Sequence, residues 1–342
     1  MMDNYGFYTG KSFDAYEFFG CHTDENGAVF RVFAPAAVRI SVIGEFNGWQ
    51  DTPMNKIGDG NFWAVYIEGV KPGQMYKYKI YKPDGSCMDH CDPYGYGMEL
   101  RPASASIVRN LYGYEFQDDA WMKKRSNGVA SALNIYEIHA GSWKKPQNGW
   151  YRYDELAMQL VPYLKEYGYN YIELLPIGEH PCDESWGYQC SGFYSPTSRY
   201  GTLDDYKKMI DILHHNDIGV IMDFVPVHFA LDAYALAKFD GTALYEYPHK
   251  DVGNSEWGSC NFMHSRGEVR SFLQSCANYW LKEYHVDGLR MDAISNMIYW
   301  QGNPARGVNK DAVAFLQNMN EGLVNRHSGI LLAAEDSTVY PG

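Results

Sequence analysis

The sequence predicts a multi-domain β + α/β protein, with an antiparallel β-sandwich over residues 21–108 and a parallel strand–helix part over 133–342. Two observations carry this. The first third holds short aromatic and β-branched stretches separated by turn residues, and the remainder alternates apolar stretches with segments of helical period. The length agrees: 342 residues suit two domains at about 100–200 residues each.

In the first part the predicted strands are Val29–Phe33, Ile40–Ile43, Phe62–Ile67 and Tyr76–Tyr81. In the last, Tyr76, Tyr78 and Ile80 share one face and Lys77 and Lys79 the other, the period of a half-buried strand. Asn47-Gly48, Gly58-Asp59-Gly60, Lys71-Pro72-Gly73 and Pro83-Asp84-Gly85 mark the turns. Residues 1–20 read as a leader without assigned structure, and residues 109–132 as the connection to the second part.

The second part opens with a strand over Leu133–Ile138, followed by a helix within Tyr153–Tyr167, where Pro162 marks a start or a kink. A strand at Tyr171–Leu175 precedes a helix near 203–215, whose Tyr206, Met209, Ile210 and Leu213 form a stripe behind a Thr202 cap. Strand Val220–Phe224, helix 268–283, strand Gly288–Met291, helix 311–324 and strand Ile330–Ala334 follow. Repeated βα units imply a parallel sheet with helices outside it.

Composition narrows the function. With 29 basic and 42 acidic side chains the net charge is −13, which argues against nucleic acid and against an anionic membrane surface. The longest apolar run, Phe62–Ile67, falls far short of the ~20 residues a membrane helix needs, and the first residues lack a signal-peptide pattern. The seven cysteines (21, 87, 91, 182, 190, 260 and 276) are odd in number and scattered, as expected of reduced thiols in a cytoplasmic protein. Cys87, His90 and Cys91 lie close together, but no second ligand pair follows at zinc spacing, so no metal or cofactor is expected. The 29 Tyr, 9 Trp and 16 Phe suit an apolar sugar face as a ligand.

In parallel α/β structures the reactive groups sit at the carboxyl ends of strands. Here those ends read Asp223-Phe224-Val225-Pro226-Val227-His228, Arg290-Met291-Asp292 and Glu335-Asp336. Carboxylates on successive strand ends fit acid/base glycosyl transfer. Each alone also reads as a helix cap, and Arg290 with Asp292 as a structural ion pair. As a site, Arg290 would keep Asp292 ionised, and a buried Glu335 beside that charge would hold its proton.

Asp223-x4-His228, Gly288-Leu289-Arg290-Met291-Asp292-Ala293 and Ala333-Ala334-Glu335 resemble three of the four signature regions of the alpha-amylase superfamily of glycoside hydrolases. Tyr136–Trp143 and Trp186–Thr202 are similar to 1,4-alpha-glucan (glycogen) branching enzymes in particular, as is Val227 directly before His228. Gly44–Trp49 and Asp92-Pro93-Tyr94 are similar to the immunoglobulin-like glucan-binding module that precedes such barrels.

The resemblance implies an immunoglobulin-like sandwich followed by an incomplete (β/α)8 TIM barrel, with about five strands present. It implies Asp292 as nucleophile and Glu335 as acid/base. Asp223 would position Arg290 and His228, with His228 bonding the sugar and Tyr188 stacking beneath it. Trp49, Lys77 and Trp63 would be the glucan-binding candidates of the module, although Trp49 also reads as packing near the barrel. The implied activity is branching of α-glucan (glycogen, amylose or maltodextrin) without a cofactor. A hydrolase of the same superfamily and a non-catalytic glucan-binding protein remain the alternatives.

Two departures stand out. Asp336 replaces a second glutamate after the acid, and no His-Asp pair follows Glu335, so a third carboxylate is missing. About 210 residues remain for a barrel that needs about 250. The open sheet edge predicts a chain that is poorly stable and inactive alone.

Overall fold

A computed structural model describes residues 2–128 and 132–341; residues 129–131 of the connection lie outside it, as do Met1 and Gly342. Residues 20–107 form two antiparallel sheets. One orders the strands Gly20–Thr23, Gly27–Phe33, Phe62–Glu68 and Asn55–Ile57. The other orders Thr52–Pro53, Arg39–Gly44, Met75–Tyr81 and Cys87–His90, with Ser106–Ile107 also on Met75–Tyr81. Tyr76, Tyr78 and Ile80 are buried between the sheets while Lys77 and Lys79 are half-buried, so the alternation in the sequence is the alternation in space.

All five predicted strands of the second part are present and parallel: β1 (Ile135–Ile138), β2 (Tyr171–Leu174), β3 (Gly219–Phe224), β4 (Gly288–Met291) and β5 (Leu331–Ala334), side by side in that order. The helices α1 (Tyr153–Tyr167), α2 (Leu203–His215), α3 (Gly267–Glu283) and α4 (Lys310–Arg326) connect them. Thr202 caps α2 as expected, its hydroxyl accepting from the Asp205 amide. Helix α1 runs through Pro162 from Tyr153, so the proline neither starts nor interrupts it. The fold is a β-sandwich followed by a partial (β/α) barrel. Because β1 and β5 are the sheet's two edges, residues along them stay exposed: Ile135 is 38% exposed, and Ala333 and Ala334 are also open.

The first residues are tied down. A short helix, Asn4–Tyr8, buries Phe7, and the segment behind it buries Phe13 and Tyr16. Polar side chains of α3 serve its backbone: Ser271 Oγ donates to the Phe7 carbonyl (2.8 Å), Gln274 to Gly10 (2.9 Å) and Asn278 to Phe13 (2.9 Å). Gly267 is the contact point, since a Cβ there would fall 1.9 Å from the Tyr8 carbonyl oxygen. In the connection, helix Asp119–Ser126 sends Trp121 and Arg125 under the amino ends of β3 and β4. Trp121 Nε1 donates to Asp287 (2.8 Å), and so does Arg125 (3.3 Å).

Trp63 overturns one expectation. It is only 3% exposed, its indole donating to the Ala34 carbonyl (3.0 Å), because it sits on the inward face of its strand. It therefore offers no ring to a sugar. Trp49 is 42% exposed and Lys77 donates to the Ser104 hydroxyl (3.0 Å), so both remain at the surface or near it. The contrast is measurable in urea. Trp63→Ala is expected to cost about 3–5 kcal/mol, and Trp49→Ala to stay within about 0.5 kcal/mol.

Candidate active site

Strand register builds the site. Asp223 near the end of β3 lies opposite Arg290 on β4, which lies opposite Ala333 on β5. Beyond the strand ends, the Asp292 amide donates to Phe224 (2.9 Å) and the Glu335 amide to Met291 (2.9 Å), so the ladder fixes both carboxyl groups. Ala293 then turns left-handed at φ 48, an uncommon conformation for a residue with a Cβ. That turn aims its amide at Glu335 Oε2 (3.1 Å).

The Arg290 guanidinium is the hub. It donates to Asp223 Oδ2 (3.1 Å) and Asp292 Oδ1 (3.2 Å), and lies 3.4 Å from Glu335 and 3.9 Å from Glu173. Tyr188 donates its phenol to the same Asp223 oxygen (2.7 Å). His228, 2% exposed, follows β3 in a short pair with Cys260–Asn261. Tyr188, His228, Arg290, Asp292 and Glu335 all line one cavity of about 480 Å³.

Four carboxyl groups around one guanidinium cannot all be comfortably charged. Burial pushes Asp223 up to about 7, with Tyr188 and Arg290 opposing. Burial, then the neighbouring Glu335, pushes Asp292 up to about 7, with Arg290 only partly offsetting this. Arg290 thus does not by itself hold Asp292 fully ionised, contrary to expectation. Nor is Glu335 buried: its side chain is 49% exposed, and among the described residues β5 is an edge strand of the sheet. Burial lowers His228 to about 4, leaving a neutral imidazole at neutral pH.

Glu173 and Trp257 are site residues that sequence reading missed. Glu173 interrupts the apolar run Tyr171-Ile172-Glu173-Leu174, a charge on a core strand that could have betrayed it. Trp257 lies in an irregular loop and carried no signal. Asp336 turns away from the cleft: its carboxylate accepts from the Thr338 amide (2.8 Å) and lines a separate cavity of about 240 Å³ beside α4. Of the clustered cysteines, Cys91 is buried and Cys87 exposed, while His90 Nδ1 lies 2.9 Å from the Ala235 carbonyl.

Residues 18–95 match the carbohydrate-binding module 48 (isoamylase N-terminal domain) family, and residues 157–251 match the alpha amylase catalytic domain family. A sandwich followed by parallel strands with carboxylates at their ends thus defines an alpha-amylase-type chain. Among curated proteins, the 1,4-alpha-glucan branching enzyme GlgB of Fusobacterium nucleatum is 44% identical over 99% of this chain and 56% of its own length. Those of Bacillus caldolyticus and Bacillus subtilis are 44% and 43% identical over 99% of this chain, and 53% and 56% of their own lengths. A crystal structure of a putative alpha amylase from Salmonella typhimurium superimposes with TM-score 0.72 at 27% identity, over 94% of this chain and 50% of that one. A pullulanase from Bacillus acidopullulyticus shares the fold, with TM-score 0.71 at 22% identity over 93% of this chain and 41% of that one. Nearly the whole chain is thus similar to the first part of 1,4-alpha-glucan branching enzymes. The chain spans about half the length of the curated relatives it matches.

Proposed function

We propose that this chain carries the nucleophile and the acid/base of an α-glucan branching site. The observation that carries the reading is the Asp292–Arg290–Glu335 cluster opening on a cavity lined by Tyr188 and His228. In the first step the Asp292 carboxylate attacks the anomeric carbon while Glu335 protonates the departing glycosidic oxygen, leaving a glycosyl ester on Asp292. In the second, a 6-hydroxyl attacks that carbon, Glu335 takes its proton, and Asp292 is released. Two inversions give retention and an α-1,6 branch.

Arg290 neutralises Asp292 as the ester breaks, and Asp223 holds Arg290 and Tyr188 in place. A neutral His228 hydrogen-bonds the sugar over Tyr188. Glycogen, amylose and maltodextrin are the substrates this reading names, and Trp49 and Lys77 are its glucan contacts on the sandwich. We place the protein in the cytoplasm, an assignment that the seven free cysteines support; no helix among the described residues is long and apolar enough to cross a membrane.

The test is iodine staining and linkage analysis of amylose treated with this chain, alone and with a polypeptide covering the rest of a relative's length. New α-1,6 linkages are expected in the supplemented sample and little or no turnover by the chain alone, whose sheet has open edges. Short sugars without new α-1,6 linkages would instead indicate a hydrolase, and robust branching by the chain alone would remove the need for a completed barrel.

A further inference from the structure

The turn that brings Tyr188 to the cavity has little backbone support of its own. It is a single 3-10 turn, Asp183–Ser185, followed by Trp186 in a left-handed conformation (φ 53, ψ 22) that is an outlier for a bulky residue. Its bonds run from the Ser185, Trp186 and Tyr188 amides to the carbonyls of Cys182 (3.3 Å), Asp183 (3.1 Å) and Ser185 (3.0 Å). A strained turn persists only where its surroundings over-determine it. Ser185 and Tyr188 line the cavity, so the position of this turn decides where the Tyr188 ring lies.

Two arginines supply that constraint through the Asp183 carboxylate. Arg199, whose side chain is 2% exposed, donates to it through Nε (2.9 Å) and Nη2 (2.6 Å). Arg199 is itself fixed by Glu179 (2.6 Å), Thr197 (3.0 Å) and the His180 carbonyl (3.0 Å). Arg101 closes on both Asp183 oxygens as a fork, Nε to Oδ1 at 2.6 Å and Nη2 to Oδ2. Hydrogen bonds from Arg101, then from Arg199, outweigh burial and hold Asp183 well below the usual carboxylate range. Arg101 belongs to the sandwich, between the strands Cys87–His90 and Ser106–Ile107. That stretch is seated on the segment that follows the turn. The Met98 carbonyl accepts from the Ser198 hydroxyl, and a Cβ on Gly192 would fall 2.5 Å from Met98 Sδ. Neither arginine is among the groups lining the cavity.

We propose that Arg101, backed by Arg199, is a positioning residue for Tyr188: through Asp183 the sandwich fixes part of the wall of the cleft. This rests on the glucan reading above, in which a sugar lies over Tyr188. Arg101 acts through the turn and not on the sugar. The placement of the turn also bears on the charged centre, because the Tyr188 phenol donates to Asp223 (2.7 Å), which in turn holds Arg290. A ring already aimed before its ligand arrives removes part of the ordering cost of binding.

The test uses Arg101→Gln, because the Arg101 and Asp183 side chains are each 37% exposed and the fork can be removed without opening the core. Every sample carries Trp49→Ala, so that the exposed ring on the sandwich contributes nothing. Hydrogen exchange is expected to quicken about fivefold at the Ser185, Trp186 and Tyr188 amides, the scale of a charge-assisted bond partly open to water. The urea midpoint should be unchanged. Maltoheptaose affinity, measured by calorimetry, is expected to fall about fivefold as well. Arg101→Lys, which keeps the charge but not the fork, is expected to recover part of both losses. In a Tyr188→Ala background Arg101→Gln should leave the affinity unchanged, because its effect passes through the ring. Unchanged exchange at the three amides overturns the proposal, and so does an equal loss of affinity in both backgrounds; either leaves the glucan reading intact. No binding of maltoheptaose by the parent overturns both.

Discussion

On the proposed reading, in which Asp292 forms the glycosyl ester, Asp292→Asn is expected to lower glucan transfer by about 10⁴-fold or more in the supplemented preparation. The same substitution should make the fold more stable. Asp292 has its folded value raised to about 7 by burial and by Glu335. A carboxyl raised in this way favours the folded state below its unfolded value of about 3.9 and loses that advantage as pH rises through the folded value. Asparagine carries no such penalty. The variant's urea midpoint should therefore match the parent's near pH 4 and exceed it increasingly up to pH 7 and above. A midpoint gap that shrinks with rising pH would contradict the repulsive cluster around Arg290.

Asp287→Ala is expected to cost about 3–5 kcal/mol of stability by urea unfolding, because it strips a buried charge network of its central anion. The Asp287 side chain is 1% exposed and accepts from Trp121, Arg125, His214 (2.9 Å) and the Val220 amide (2.7 Å). His214, fully buried as a side chain, also meets Asp118 (2.7 Å). Burial opposes the His214 charge, but Asp287 and Asp118 outweigh it and raise its value above the ordinary 6.5. Its contribution is full below 6.5 and is lost as pH rises through the folded value. Asp118 runs the other way: burial opposes its charge, yet His214 and His285 hold it well below the usual carboxylate range. That contribution is present above about 3.9 and is lost as pH falls through the depressed value. The parent should show this network's full contribution between about pH 4 and 6.5, and Asp287→Ala should lose most of its His214 part.

The strands were legible where side chains obey one period, as at Tyr76, Tyr78 and Ile80. So were the strand-end carboxylates, because β register alone decides where Asp223 and Arg290 fall. What escaped depends on partners distant in sequence. Residues 1–20 show no strong period, and their structure comes from docking on α3. The connection's Trp121 and Arg125 matter through Asp287, more than 160 positions later. Trp63 looked like a surface candidate because its strand's apolar run hides which face is inward. Glu335 was expected to be buried, but its side chain is 49% exposed, because burial there depends on contacts distant in sequence.

The docking of the first residues on α3 also sets an order of events during synthesis. Phe7 leaves the ribosome well before its partner Ser271, which lies 264 positions later. At about 5–20 residues per second, that interval lasts on the order of ten to fifty seconds. Throughout it Phe13 and Tyr16 lack the α3 surface, whereas Phe7 can already pack against Phe19, Phe33 and Phe62.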